Sequence, residues 1–586
     1  MKKLWLLLAS ILTIGTTSGC SLFEYYSKKV NIYRNNEEPD KQISLRYYFK
    51  QFHVPYIEVN AYYEEFFIQT LDVKKDDDGY KYSLSDEEYL YFNVTDNSIS
   101  ISGLTSFSNH PDFVSETGKT FLELENIKHT EIKVKTIDLD DYDIHFYSDD
   151  EGIYAPLTFL SKLCGGIYLY DIAYNGKDIY VLDYGCSLGS EERTTEYYGD
   201  KYLKKISNIG LRSKDMARYT YNELCFVFDN LRGETKQLLF GEDKLKSLGL
   251  DKMLETYYPE IKELLLSTGK RKYGAGILSL FFGLDDGGHT SMLTYYPLLL
   301  MSLYTKVTGS EKLSELLNAV NDRDNAASKI YQSCDLARSG QFGTPGGFYY
   351  YIEQEAETAY IGFDSFDVDY EAWDNYYSKG GDIPIYTDTY AFVRDKLYKA
   401  KAGGAKNIVL DISTNGGGDT NALCGLVGLF NKGKCNFTTK DTVNDFIATE
   451  YYKVDINLDG KIDELDIEEL NNFDFNVGVL TSGYSFSCAN LFPAVMKNLG
   501  FPIIGQKSGG GSCAISVETT ADGIAYVRSS HLTLVDEDGE NIDDGIPVDY
   551  EIEMLDDYYV DFFDARNYFN CPLINEILTN FYSSND

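Results

Sequence analysis

Apolar and polar positions fall into three regimes along the chain, and each predicts a different kind of structure. Residues 20–200 carry short apolar runs broken by Tyr- and Asp-rich stretches, which predicts a β-rich module. Within it, Val54-Pro55-Tyr56-Ile57-Glu58-Val59 followed by a helical stretch Tyr62–Leu71 is loosely repeated as Ile153-Tyr154-Ala155-Pro156-Leu157 followed by Phe159–Leu163. Asn175-Gly176 separates the apolar runs Tyr168–Tyr174 and Asp178–Tyr184, a two-residue hairpin signal. Helical periodicity takes over in 215–330. Tyr221–Leu231 is predicted to be a helix opened by Thr220, followed by Lys244–Thr268 and Met292–Val307. From 340 to 586 the pattern changes again. Phe348–Glu353 and Thr358–Phe363 read as paired strands, and Asp388–Lys401 as a helix opened by Thr387 or Asp388. Lys406–Asp411 reads as a buried strand, a glycine loop follows, and Asn421–Phe430 is helical, which is α/β grammar.

Composition narrows the partners. The 586 residues hold 53 Lys and Arg against 92 Asp and Glu, a net charge of −39, which excludes a phosphate-backbone reader and disfavours binding to an anionic surface. Hydrophobic residues make up 43%, enough for packed cores, so this is not a disordered acidic chain. Lys2 and Lys3 precede an eleven-residue apolar run, Leu4–Ile14, too short to span a bilayer. Small residues then lead to Cys20, and the whole resembles a bacterial lipoprotein signal with Thr17 in place of the usual Leu. That resemblance implies removal of residues 1–19, lipidation of Cys20 and a place in the cell envelope, anchored on the exported side of a bacterial membrane. The other nine cysteines are scattered, with no CxxC pair and no Cys/His cluster, so neither a disulfide framework nor a zinc module is expected.

Three segments concentrate small and polar residues in ways that suit chemistry. Asn407-Ile-Val-Leu-Asp411-Ile-Ser-Thr-Asn415-Gly416-Gly417-Gly418-Asp419 is a strand ending in glycines, where backbone N–H groups can approach a ligand oxygen. It lacks the GK[ST] of a phosphate-binding loop. Val477–Thr481 delivers Ser482, Ser485 and Ser487 to the start of a helix Cys488–Leu499, and Gly505–Ser512 forms a second glycine run. A serine there is ordinarily a cap, but it is also where a nucleophile gains from free helix N–H groups. Leu284-Asp285-Asp286-Gly287-Gly288-His289-Thr290-Ser291 holds one of only six histidines, placed just ahead of the expected helix at Met292.

The order of these segments, closed by Gly545-Ile-Pro-Val-Asp549, resembles the S41 serine peptidases, the tail-specific or C-terminal processing protease family. The likeness covers roughly residues 270–555. Asp411–Gly418 is similar to that family's Asp-Leu-Arg-x-Asn-x-Gly-Gly loop, and Ser485–Asn490 to its Ser-Ala-Ser-Ala-Ser-Glu segment, with Asn490 at the Glu position. The resemblance implies an α/β core of the ClpP/crotonase type, behind a helical segment and an N-terminal β-rich α+β module. It implies Ser487 as nucleophile and, from the Asp-Gly-His-Thr-Ser segment of the tricorn-like branch, His289 as general base. Cys488 and the Gly416–Gly417 loop would supply oxyanion donors. Asp543, Asp544 or Glu540 would orient the base, with Asp285 and Asp286 as local alternatives. The Ser–Lys branch would place its Lys at Gly511, and Lys507 falls four residues short, so the Ser–His mechanism fits better. The substrate implied is a peptide or protein, with no catalytic cofactor.

One further stretch is independent of that family. Asp455-Ile-Asn457-Leu-Asp459-Gly460-Lys461-Ile-Asp463-Glu-Leu-Asp466 fits an EF-hand-like calcium loop, with oxygen ligands at positions 1, 3, 5, 9 and 12 and the Lys461 carbonyl at position 7. A structural calcium ion is the expectation there. Two other readings remain open from sequence: a catalytically inactive S41-like binding lipoprotein, and a calcium-dependent adhesion or glycan-binding surface protein whose work resides in the N-terminal module.

Overall fold

The computed structural model describes residues 25–34, 39–108, 119–165, 170–183, 211–293, 310–344, 346–556 and 562–585. The expected signal segment and Cys20 lie outside these residues, as does the stretch from 294 onward of the expected helix Met292–Val307.

The architecture is mixed α/β, and one six-stranded sheet positions the site. Its order is Tyr349–Glu353, Thr358–Gly362, Asn407–Asp411, Asn476–Thr481, Ile503–Gly505, Tyr550–Glu551, and every neighbouring pair is parallel except the first. These strands read as unbroken apolar runs because both faces are covered. Ile408, Leu410, Val477, Val479 and Ile503 pack with the helices Thr389–Ala402, Thr420–Phe430 and Cys488–Asn498. Val409, Leu480 and Ile504 face the other way, onto Tyr568, Phe569, Ile574 and Leu578. Of the two caps offered for the first of these helices Asp388 is the one used, and the second helix has a cap that no reading of the sequence named, because polar side chains there reach orphan N–H groups. Asp388 accepts from Ala391 N and Asp419 from Asn421 N.

The N-terminal module is β-rich, as expected, and its repeat is a structural one. Tyr56–Glu58 leads into the helix Val59–Phe66, Ile153–Pro156 leads into Leu157–Cys164, and the two short strands pair antiparallel with Ala155 opposite Ile57. The first helix begins three residues before Tyr62 because Glu58 caps Ala61 N at 2.7 Å. The hairpin pairs Tyr174 with Ile179, so its connection is four residues, with Asn175 Oδ1 accepting from Lys177 N and Asp178 N. The module does not stand apart from the helices that follow. Tyr56, Phe159, Phe226, Leu254 and Ile277 lie in one continuous core. Leu122–His129 leaves the module altogether to pair with Phe446–Val454 in a second six-stranded sheet, beside Lys434–Asp441 and Ala525–Val535.

Several helix boundaries differ from the sequence expectation. The helix expected from Thr220 spans Lys214–Asn230, capped by Ser213 on Met216 N, and Thr220 is buried in its middle. Lys244–Thr268 divides into Glu242–Tyr257, interrupted at Gly249 (φ 72°), and Pro259–Leu265. At Ser291–Met292 there is a two-residue strand on Ala525–Val535 instead of a helix start, because the sheet edge offers Val527 and Tyr526 as partners. The helix Glu311–Phe342 runs from the helical segment into the sheet region and carries the fully buried Arg338.

Candidate active site

Three parallel strands end together, and their carboxyl ends carry the Gly416–Gly418 loop, the Ser482–Ser487 loop and the Gly509–Gly511 run, the usual place for a site in an open α/β sheet; the His289 loop arrives from the helical segment. After Asp411 the chain is pinned by buried polar contacts. Asp411 accepts from Ser413 N at 2.9 Å and from Tyr349 Oη at 2.6 Å. Arg338 donates to Thr414 Oγ1 at 3.0 Å and to Asp364 at 3.3 Å, and lies 3.9 Å from Asp411. Asn415 donates to Phe363 O and accepts from Gly417 N at 2.8 Å. Gly417 (φ 115°) presses so closely on the next loop that a Cβ there would lie 2.6 Å from the Ser487 Cβ and 3.2 Å from Cys488 N.

The three serines have different fates. Ser482 Oγ donates to Ser413 O, and Ser485 Oγ to Ile412 O, so both hydroxyls stitch the two loops together. Ser487 is half-buried, and its Oγ has no hydrogen-bond partner among the described residues. It stands before the helix at φ 58° and ψ −120°, a strained conformation for a residue with a side chain, held by a 2.9 Å bond from its N–H to Gly510 O. Cys488 is a poor competing nucleophile. Its thiol donates to Gly418 O and burial pushes its pKa up.

Two backbone donors of these loops have no acceptor among the described residues: Cys488 N–H, adjacent to Ser487 in the chain, and Gly416 N–H, next to the Gly417 that presses on Ser487. The third expected donor, Gly417 N–H, is engaged by Asn415 Oδ1. Gly417 therefore contributes close approach, and Gly416 is the donor that remains from the glycine loop.

His289 is buried, with its ring 4.8 Å from that of Phe486, the residue before Ser487. Phe486 sits in a cage made by His289, Gly287, Gly288 and Gly511. A Cβ on Gly511 would lie 2.5 Å from that ring, so the lysine of the Ser–Lys branch has no room at this position, and Lys507 is exposed. Burial lowers the His289 pKa, opposed by the charges of Asp286 and Asp543, so the imidazole is neutral and basic at neutral pH. Neither ring nitrogen has a hydrogen-bond partner among the described residues.

The acidic candidates separate by burial. Asp286 is buried and accepts from His289 N, Thr290 N, Thr290 Oγ1 and Ser529 Oγ, fixing the loop that carries the imidazole. Asp543 is buried and accepts from Ser512 N at 3.0 Å and Lys236 N at 2.5 Å. Asp544 is exposed and pairs with Lys236, Glu540 is exposed, and Asp285 is held by Arg323. Only Asp286 and Asp543 thus act on the His289 ring. Asn490, at the usual Glu position, accepts from Ser508 Oγ and donates to Ile542 O, tying the glycine run to the Asp543 segment. Gln237, unmarked in sequence, donates to both Gly509 O and Asp543 O. Its role depends wholly on a contact some 270 residues away in the chain, which no local pattern announces.

The calcium-like loop lies apart from these contacts, between the strand Phe446–Val454 and the helix Glu464–Leu470. Asp455 accepts from Gly460 N, Asn457 from Asp459 N, Asp459 from Lys461 N, and Asp463 from Leu465 N. Among the described residues, no group of three or more His, Cys, Asp or Glu side chains gathers so as to hold a metal ion.

Residues 357–552 match the model of peptidase family S41. No curated protein matches the chain. Among solved structures, a candidate peptidase from Parabacteroides merdae ATCC 43184 is 16% identical over 62% of this chain and 96% of its own, with a TM-score of 0.39. A lipoprotein from Streptococcus agalactiae is 14% identical over 59% of this chain and 95% of its own, with a TM-score of 0.31. A candidate S41 protease from Bacteroides fragilis NCTC 9343 is 14% identical over 42% and 59%, with a TM-score of 0.27.

Proposed function

We propose, from the premise that residues 357–552 are a peptidase family S41 domain, that this chain is a serine endopeptidase working by a Ser–His mechanism. The observation that carries the proposal is the strained Ser487 turn, whose hydroxyl has no partner among the described residues and whose neighbour Phe486 packs on the buried His289 ring at 4.8 Å. Ser487 Oγ attacks the scissile carbonyl while His289 takes its proton. The oxyanion is met by Cys488 N–H and Gly416 N–H, each such donor contributing about 3 kcal/mol in the transition state. The tetrahedral intermediate collapses as His289 gives the proton to the leaving amine. Water, deprotonated by the same imidazole, then attacks the acyl-enzyme, and the proton returns to Ser487 as the acid leaves. Hydrogen bonds of this kind are commonly long in resting enzymes and tighten with substrate, which suits the unpaired His289 ring. Asp286 and Asp543 stabilise the imidazolium electrostatically.

The same reading places the enzyme outside the cytoplasm, held to a bacterial membrane through lipid on Cys20. A fluorophosphonate probe should label the wild-type chain and leave Ser487→Ala unlabelled. His289→Ala should keep its melting temperature and lose peptide turnover. Equal labelling of wild type and Ser487→Ala would remove the nucleophile assignment and leave a binding protein on a peptidase fold. For the anchor, Cys20→Ser should move the protein from the membrane fraction to the soluble fraction of the producing cells.

A further inference from the structure

The loop 455–466 holds two buried carboxylates, and the one guanidinium that touches it among the described residues, Arg394, donates to Ile456 O at 2.6 Å and pairs with neither. Asp455 and Asp466 are each 2% exposed, and neither forms an ion pair among the described residues. Asp466 accepts from Ile456 N at 2.7 Å and Asn457 N at 3.1 Å, which sets its carboxylate across the start of the loop, next to Asp455. Its other oxygen accepts from Asp463 N at 2.8 Å. Asp455 Oδ2 accepts from Gly460 N at 2.8 Å and Tyr377 Oη at 3.0 Å. Asp455 Oδ1 is shut off from solvent and has no hydrogen-bond partner among the described residues. Buried charges in folded proteins are paired or coordinate metals, and among the described residues neither of these carboxylates has an ion-pair partner.

We propose that this loop binds a calcium ion, with Asp455 Oδ1 and Asp466 as its buried ligands. Asn457, Asp459 and the Lys461 carbonyl complete the oxygen shell, with water or Asp463 at the ninth position. The backbone already has the required turns. Leu458 (φ 63°) and Gly460 (φ 82°), the fourth and sixth residues of the loop, both take left-handed conformations. Asp459 and Asp463 are exposed, and each is tied through one oxygen only, so rotation of two surface side chains gathers the remaining ligands. A carboxylate oxygen that accepts one N–H keeps a second lone pair for a cation, so the Asp466 contacts do not compete with binding. The ligands are all hard oxygens of mixed type, including an amide and a carbonyl, which favours calcium over the strict octahedron of magnesium. An Asp at the last position reaches less far than a Glu, so the affinity belongs to the class of about 10⁻⁴–10⁻³ M, suited to an extracellular setting. This inference does not depend on the peptidase reading.

Trp373 and Tyr377, stacked at 5.8 Å, adjoin the loop, and Tyr377 touches Asp455 directly. They make terbium, a luminescent calcium analogue, the direct probe. On the full chain, excitation of these rings should give saturable terbium emission that millimolar Ca²⁺ displaces and equal Mg²⁺ does not. The melting temperature should rise by about 1 to 3 °C at tenfold excess of calcium over Kd, compared with chelator. Asp459→Ala, on the exposed rim, should fold normally and weaken calcium binding at least tenfold, and Asp455→Asn should abolish it. Absence of saturable emission, equal displacement by magnesium, or wild-type affinity in Asp459→Ala would each overturn the proposal.

Discussion

Gly416 and Gly417 are adjacent, yet adding a single methyl group should have opposite consequences at the two positions. At Gly417 the backbone has φ 115°, and the added Cβ would stand 2.6 Å from the Ser487 Cβ and 3.0 Å from Phe486 O. Holding an L-residue in such a conformation costs ~1–3 kcal/mol. The contact itself must also be relieved, by roughly an ångström of movement away from Ser487. A displacement of about 1 Å in a catalytic constellation can cost ~10²-fold, and loss of one oxyanion donor ~10²–10³-fold. Gly417→Ala is therefore expected to lower kcat by at least ~10²-fold with little change in KM, since the interaction lost belongs to the transition state. At Gly416 the φ is not left-handed, and the nearest atom to an added Cβ is in Tyr484, 3.9 Å away. Gly416→Ala keeps its N–H and should cost no more than about 0.5 kcal/mol in stability and a few-fold in rate. The assay is the second-order rate of fluorophosphonate labelling together with peptide turnover, on proteins whose melting curves are recorded in parallel. If the two variants lose activity equally, or Gly417→Ala keeps more than a tenth of wild-type turnover, the assigned approach of this loop to Ser487 is wrong.

Two other outcomes follow from the same geometry. Because burial lowers the His289 pKa, the free enzyme holds its base neutral to below the ordinary value of 6.5, so the acid limb of kcat/KM should fall below pH 6.5. Asp543→Asn removes a charge that favours the imidazolium, and should shift that limb further down; an upward shift would contradict the assignment. Arg338→Met leaves Asp411, Asp364 and Asp335 without their shared cation and should destabilise by ~3–5 kcal/mol in denaturant titrations, with activity lost alongside. A change below about 1 kcal/mol would mean that the guanidinium does not hold the glycine loop.

The parts of the site legible in sequence were those encoded by neighbours in the chain. Asp388 announces its helix because its side chain caps an N–H group three residues on. The continuous apolar run ending at Asp411 and the glycines after it mark a doubly covered strand and its turn in any context. Long-range contacts left no such trace. Arg338 lies on a 32-residue helix that buries only a few side chains, so its periodicity is faint, and its partners Thr414 and Asp411 are more than seventy residues away. The Phe486 cage needs glycines from two loops separated by over two hundred residues. Thr220 looked like a cap because a threonine before an apolar run satisfies the local rule, while Ser213, seven residues earlier, wins by starting the same helix sooner.

The strand Leu122–His129 has a consequence for the order in which the molecule is assembled. Its partner strand ends at Val454, and the ladder beyond it closes only through Ala525–Val535. At synthesis rates of ~5–20 residues per second, this early strand waits on the order of tens of seconds for the chain that completes it. Leu124 and Ile127, half-exposed even in the finished protein, are the residues a chaperone would shield in that interval. The N-terminal half therefore does not fold as a finished unit ahead of the rest. A ribosome stalled before residue 446 should display a nascent chain in which this segment is still open to protease, while one stalled after 535 should protect it.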